Sequence, residues 1–181
     1  MTDRDREAQS FDLLHPVVQH HVVNSLGWPG LRPLQTASIV PVLRGDDALL
    51  VAATAGGKTE AAMLPLLTRM ADDEWPGLSV LYGVGQEGHS ECRSRRPPKH
   101  DRKNGREASV RHGDTAAGAR QRQATSRPSV LLTTPESLEA MLVSTLLDAP
   151  HMCGDLRAVV VDEVHAFAGD DRGWHLLAVL D

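Results

Sequence analysis

The chain has 181 residues, 41% apolar and 24% charged, the balance of an ordinary globular protein long enough for one domain with a substantial core. That composition excludes fibrous and wholly disordered classes, and no apolar run approaches the roughly 20 residues that a membrane-spanning helix needs. The net charge of −5 hides a division: residues 91–127 hold 11 of the 19 basic residues and 4 of the 24 acidic ones, a local balance of +7 against −12 elsewhere.

Such a basic belt suits either a nucleic-acid contact surface or a solvated loop, and composition leaves both open. Two cysteines, Cys92 and Cys153, are too few for a disulfide framework and fit a reducing compartment. The charged opening Met1-Thr2-Asp3-Arg4-Asp5-Arg6-Glu7 has no apolar region behind it, so no secretory signal is expected and the location is expected to be cytoplasmic.

In chain order, residues 1–10 read as a polar tail. Leu13, Leu14, Val17, Val18, Val22 and Leu26 fall near a 3.6-residue period, predicting a helix over 12–26 that stops at Gly27. After the turn Trp28-Pro29-Gly30, a second helix is predicted from Pro33 to Gly45, with Pro41 kinking it or ending it early. The unbroken apolar run 48–52 predicts a strand buried on both faces. Thr54-Ala55-Gly56-Gly57-Lys58-Thr59 follows, then a helix over 60–70. Further strands are predicted at 78–82, 129–133 and 158–162, with a helix over 136–146. Strands alternating with helices point to a doubly wound α/β domain with a mostly parallel sheet and helices on both faces.

From Gly83 to Ser109 the pattern fails. Only Val84, Cys92 and Ala108 are clearly apolar, and Arg95-Arg96-Pro97-Pro98-Lys99 precludes a credible helix. A parallel connection normally needs an amphipathic crossover helix, so an irregular or disordered segment over 83–109 is expected.

Two clusters carry chemistry. Ala52-Ala53-Thr54-Ala55-Gly56-Gly57-Lys58-Thr59 lies between a predicted strand and a helix, where a phosphate-binding loop must lie. Small residues let backbone N–H groups close around phosphate oxygens, and the helix N-terminus adds partial positive charge. Lys58 would reach the β- and γ-phosphates and the Thr59 hydroxyl would ligate Mg²⁺. Ala52 departs from the glycine that usually opens this pattern. The second cluster, Asp162-Glu163-Val164-His165, puts two adjacent carboxylates at the C-terminal end of a predicted strand, where ligands bind in open α/β sheets. Asp162 would hold Mg²⁺ and Glu163 would polarise the attacking water.

These motifs, in this order, resemble the first RecA-like lobe of superfamily 2 helicases of the DEAD/DEAH-box type, most closely the Lhr-like branch. Leu31-Arg32-Pro33-Leu34-Gln35 resembles the adenine-reading glutamine motif, and 52–59 resembles motif I, with Ala53 where the family usually has proline. Thr133-Thr134-Pro135-Glu136-Ser137-Leu138 resembles motif Ib, and Asp162 to His165 resembles motif II. His112-Gly113-Asp114 resembles a short element that precedes motif Ib. The resemblance covers roughly 11–82 and 111–181. It implies a RecA-like P-loop domain over 11–181, incomplete at the C-terminus because motif III and the second lobe would lie beyond Asp181.

The resemblance further implies ATP and Mg²⁺ as cofactors. Gln35, Ala52, Thr54, Ala55, Gly56, Gly57, Lys58 and Thr59 would bind nucleotide, with Thr59 and Asp162 on the metal. Lys58, Asp162, Glu163 and His165 would serve hydrolysis, His165 coupling it to the nucleic-acid side. Thr134, Pro135 and Glu136 would contact the backbone of DNA or RNA, single-stranded or duplex, with no role for a membrane. The arginine that completes phosphoryl transfer would come from the second lobe, so weak nucleotide binding, negligible turnover and no unwinding are expected of this chain alone. A single-lobe nucleotide switch and a non-functional remnant stand as alternatives.

Motif Ia, with its Pro-x-x-Ala-Leu core, has no match after Tyr82. Residues about 83–109 therefore read as a frame-shifted version of an ordinary segment, with a true insertion as the alternative, so no arginine of the basic belt is assigned as a contact. His15, His20 and His21 suit solvent-facing or capping roles better than a metal site, and Cys92 with His100 lacks zinc-ligand spacing. Trp28 suits a hydrophobic anchor, although the adenine pocket is near by resemblance. Glu60 reads as a first-turn helix residue and Asp170-Asp171 as a loop or cap.

Overall fold

A computed structural model describes residues 3–53, 55–83, 108–111, 128–144, 148–167, 169 and 171–180. The chain divides into two compact units, Met1–Trp75 and Pro76–Asp181.

The first unit is helical. Helix α1 (Asp3–Asp12) occupies what the sequence presents as a polar tail. Its residues lack an apolar stripe, so periodicity could not reveal it; it is tied down by Glu7 Oε1, which accepts the Leu31 N–H at 2.7 Å. The single helix expected over 12–26 is instead α2 (Pro16–His20), which runs into a π-helical turn (His21–Ser25). Proline cannot donate a backbone hydrogen bond, so Pro16 suits the start of a helix and not its middle. His15 caps α2, its Nδ1 accepting the Val17 N–H at 3.2 Å. Gln19 Nε2 bridges the break by donating to Phe11 O at 3.1 Å and Leu14 O at 2.9 Å.

Helix α3 (Pro33–Arg44) continues through Pro41 to a left-handed Gly45. The Asp46 N–H reaches Pro41 O at 3.0 Å, so the helix closes after the proline and not at it. Helix α4 (Lys58–Asp72) packs on α3. The core of this unit is Leu14, Val18, Val22, Leu31, Ile39 and Leu64, with Phe11 and Trp28 partly buried against it. Each such side chain removed from water stabilises the fold by roughly 1.5–3 kcal/mol. Trp28, Phe11 and Glu7 also line a cavity of about 240 Å³.

Residues 48–52 do not form the expected strand. Leu49 is 78% and Val51 75% exposed. An apolar run becomes a strand only where a neighbouring strand pairs with it.

Among the described residues, the second unit is built on a parallel sheet of four strands in the order β2-β3-β1-β4. The strands are β1 (Val80–Gly83), β2 (Ala108–Arg111), β3 (Val130–Thr133) and β4 (Ala158–Val161). β1 and β3 lie inside the sheet and are buried throughout, which is why both read as unbroken apolar runs. Strand β2 begins within the tract expected to be irregular over 83–109; most of that tract, the basic belt and His112 to Asp114 lie outside the described residues.

Helix α5 (Pro135–Leu142) ends four residues earlier than expected. Helix α6 (Ala149–Cys153), a 3₁₀ turn (Val164–Phe167) and helix α7 (Asp171–Leu180) complete the unit. Asp171, read from sequence as loop or cap, is the first residue of α7. Leu78, Leu81, Leu131, Leu138, Met141 and Met152 form the core between sheet and helices.

Candidate functional site

In the first unit the glycine-rich loop leads directly into α4, the longest of the described helices, so its first-turn N–H groups face the loop. Ala55 (φ 60°) and Gly57 (φ 80°) are left-handed, and Gly56 N–H donates to Ala53 O at 2.9 Å. A Cβ at Gly56 would stand 2.8 Å from both Ala52 Cβ and Ala53 O, so no larger residue fits this turn. Lys58 Nζ donates to Ala52 O at 3.3 Å, folding the lysine back across the loop. Thr59 lies in the first turn of α4; Thr54 lies outside the described residues.

Gln35 reaches the same loop from α3. It is 1% exposed, and its Oε1 accepts the Arg32 N–H at 2.9 Å. Its Nε2 is buried with no hydrogen-bond partner among the described residues and stands 2.6 Å from where a Cβ at Gly57 would lie. Arg32 Nη1 donates to Ala55 O, and Ser38 Oγ bridges Gln35 O (2.9 Å) and Ala61 O (2.6 Å). Gln35, Arg32, the loop and the start of α4 are thus one hydrogen-bonded assembly. A buried amide donor left over beside a phosphate-type loop is what a hydrogen-bonding ligand would satisfy. Glu60 lies in the first turn of α4, and its Oε2 is also buried without a partner among the described residues.

In the second unit, β4 delivers Asp162 and Glu163 to its C-terminal end. The Asp162 N–H still pairs with Gly83 O at 2.9 Å, which extends the ladder to the carboxylate. Asp162 Oδ2 accepts the Tyr82 hydroxyl at 2.6 Å and its Oδ1 accepts the Glu163 N–H at 2.9 Å. Glu163 takes a left-handed φ of 51°, and its Oε2 lies 3.3 Å from His165 Nδ1. His165 is largely exposed. Tyr82 is the site neighbour that sequence reading missed. The parallel pairing sets Tyr82 opposite Val160, and side chains two apart share a sheet face, so Asp162 lies within its reach.

Thr134 caps α5 in the same unit, its Oγ1 accepting the Ser137 N–H at 3.3 Å, and Pro135 occupies the first helical position. Thr134 and Pro135 are buried while Glu136 is part-exposed. Arg172 Nε donates to Glu136 Oε1 at 2.8 Å. Burial pushes the Glu136 carboxyl up, but hydrogen bonds from Arg172, its own backbone N–H and the Thr134 hydroxyl outweigh this and hold it below its ordinary value.

The model of the DEAD/DEAH box helicase family matches residues 32–181. The chain is 34% identical over 164 residues to the Lhr helicase/probable uracil glycosylase of Mycolicibacterium smegmatis, covering 82% of this chain and 11% of that protein. It is 32% identical over 164 residues to the ATP-dependent helicase Lhr-Core of Methanothermobacter thermautotrophicus, covering 81% and 19%. Among solved structures it resembles Mycobacterium smegmatis helicase Lhr bound to ssDNA and AMP-PNP, with a TM-score of 0.73 and 29% identity over 94% of this chain and 23% of that one. The helicase MrfA bound to DNA and AMPPNP shares the fold at a TM-score of 0.74 and 22% identity, covering 93% of this chain and 23% of that one. The chain thus spans between a tenth and a fifth of these two sequence relatives. With a parallel α/β sheet of the RecA-like kind and a matching family model over most of its length, the chain belongs to the DEAD/DEAH box helicase family.

Proposed function

We propose that this chain is the ATP-binding lobe of an ATP-dependent DNA or RNA helicase. The observation that carries this reading is the buried Gln35 amide, with an unsatisfied donor, held against the glycine-rich loop at the head of α4. The solved relative with AMP-PNP and ssDNA bound supports it.

In this reading Gln35 donates to and accepts from the adenine edge. Ala52, Thr54, Ala55, Gly56 and Gly57 present backbone to the phosphates. Lys58 leaves Ala52 O to neutralise the terminal phosphates. The Thr59 hydroxyl and the Asp162 carboxylate are hard oxygen donors of the kind Mg²⁺ takes. Bound Mg²⁺ would neutralise charge that develops on the phosphates. Glu163 positions and polarises the attacking water, and His165, paired with it, couples the ATP state to the nucleic-acid side. Thr134, Pro135 and Glu136 lie along the strand backbone, which makes binding sequence-tolerant and salt-sensitive. A second RecA-like lobe completes the cycle by closing on the nucleotide.

The direct test is titration of the chain with a fluorescent ATP analogue and Mg²⁺ beside Lys58→Ala. Saturable binding that the substitution abolishes is expected. Equal binding by both proteins, or none by either, would overturn the reading.

A further inference from the structure

Helix α5 carries two carboxylates, Glu136 and Glu139, and no cation, although its N-terminus is the segment assigned above to a phosphate backbone. Both carboxylates are met from α7. Arg172 Nε donates to Glu136 Oε1 at 2.8 Å, and His175 Nε2 lies 3.0 Å from Glu139 Oε2. The two partners are three residues apart on each helix, so the pairs form successive rungs along facing sides. The Arg172 guanidinium also lies over the ring of Phe167, 5.4 Å from its centre. Phe167 is 4% exposed and ends the 3₁₀ turn that begins just after Asp162 and Glu163. The arginine is therefore held in place independently of Glu136.

We propose that Arg172 is a positioning residue for the nucleic-acid face: it neutralises the part-exposed Glu136, so that the phosphates of a single strand can approach the N-terminal end of α5. The proposal rests on the helicase reading above. Without Arg172, Glu136 would present a bare carboxylate to a polyanion, because α5 has no cation of its own and the next residue to meet it from α7, His175, is already engaged by Glu139. The lowered Glu136 carboxyl agrees with a permanent cation at this position.

The sign of the coupling between the two residues separates masking from simple bracing. Binding of a fluorescein-labelled oligothymidylate by the whole chain at low salt is measured for wild type, Arg172→Gln, Glu136→Gln, the double variant and Arg172→Lys, with a thermal melt to confirm that each folds. Arg172→Gln is expected to weaken binding about tenfold, since an unpaired carboxylate now faces phosphate at close range. Glu136→Gln leaves the Arg172 charge unneutralised and is expected to bind about threefold more tightly than wild type, and the double variant is expected to return to the wild-type level. Arg172→Lys, which keeps the charge, should bind within about threefold of wild type and keeps the test open if the glutamine variant unfolds. If Glu136→Gln is as weak as Arg172→Gln, the pair merely braces two helices and the proposal falls. It falls too if the double variant stays weak with a salt slope lower by about one, since Arg172 Nη2, buried without a partner among the described residues, would then be a phosphate ligand itself. Failure of the wild-type chain to bind the oligonucleotide at all would overturn the nucleic-acid reading and this proposal with it.

Discussion

An alanine at position 57 would place its Cβ 2.6 Å from Gln35 Nε2, on a backbone already at φ 80°. Both the strain and the displaced glutamine follow from one methyl group. Gly57→Ala is expected to lower stability by about 1–3 kcal/mol and to cost the ATP analogue about tenfold in affinity, or ~1.4 kcal/mol. A thermal melt and the same fluorescence titration read the two effects, and wild-type values in both would show that the loop tolerates the shift. Tyr82 makes a complementary case. It is 2% exposed and donates to Asp162 at 2.6 Å. Tyr82→Phe removes a bond to a charged acceptor, so a loss of about 1.5–3 kcal/mol is expected in urea unfolding; an unchanged midpoint would mean that Asp162 finds another donor. The loop was legible in the sequence because its small residues are demanded locally. Tyr82 was not, because its role exists only once β1 and β4 pair in parallel register.

Helix α5 shows what an element owes to its ends. Its eight residues are too few to hold together without a cap and a packed face, and Thr134 supplies the cap. Thr134→Ala is expected to cost about 1 kcal/mol while Thr134→Ser stays near wild type, read as shifts in the melting midpoint. Glu136 adds a dependence on pH. Its carboxyl is held below the ordinary value near 4.5, so its contribution is fully present above that value and is lost as pH falls through the lower, folded value. Being part-exposed, the pair contributes at most about 1 kcal/mol. Wild type is therefore expected to lose slightly more stability than Glu136→Gln on acidification below pH 4.5, and parallel pH profiles would show that the Arg172 pair adds nothing net. The same scale explains what the sequence could and could not convey. The runs at 80–83, 130–133 and 158–161 are strands and the similar run at 48–52 is not, since pairing depends on a neighbour that no single segment encodes. Helix α1 lacks an apolar stripe, so it does not announce itself by periodicity.

At the scale of the whole molecule, large apolar side chains among the described residues stand open to water in several places, among them α7 and the 48–52 run. On α7, Trp174 is 76% and Leu177 61% exposed, three residues apart and hence on one side of the helix, while Leu176 turns inward. In the first unit, Leu49 and Val51 are equally open. Contiguous apolar surface on a globular chain drives association. The weight-average mass in sedimentation velocity is therefore expected to rise with concentration for the wild-type chain. Trp174→Glu with Leu177→Lys should suppress this if α7 is the contact, and Leu49→Lys with Val51→Thr should suppress it if the 48–52 run is. Because Arg172 faces Glu136 on the inner side of α7 whereas Trp174 is exposed, the α7 surface pair should leave oligothymidylate affinity within about threefold of wild type at low protein concentration. A mass that stays monomeric at every concentration would show that neither patch is large enough to self-associate. A loss of oligonucleotide affinity in a well-folded Trp174→Glu/Leu177→Lys variant would place the outer side of α7, and not only its Glu136-facing side, on the nucleic-acid path.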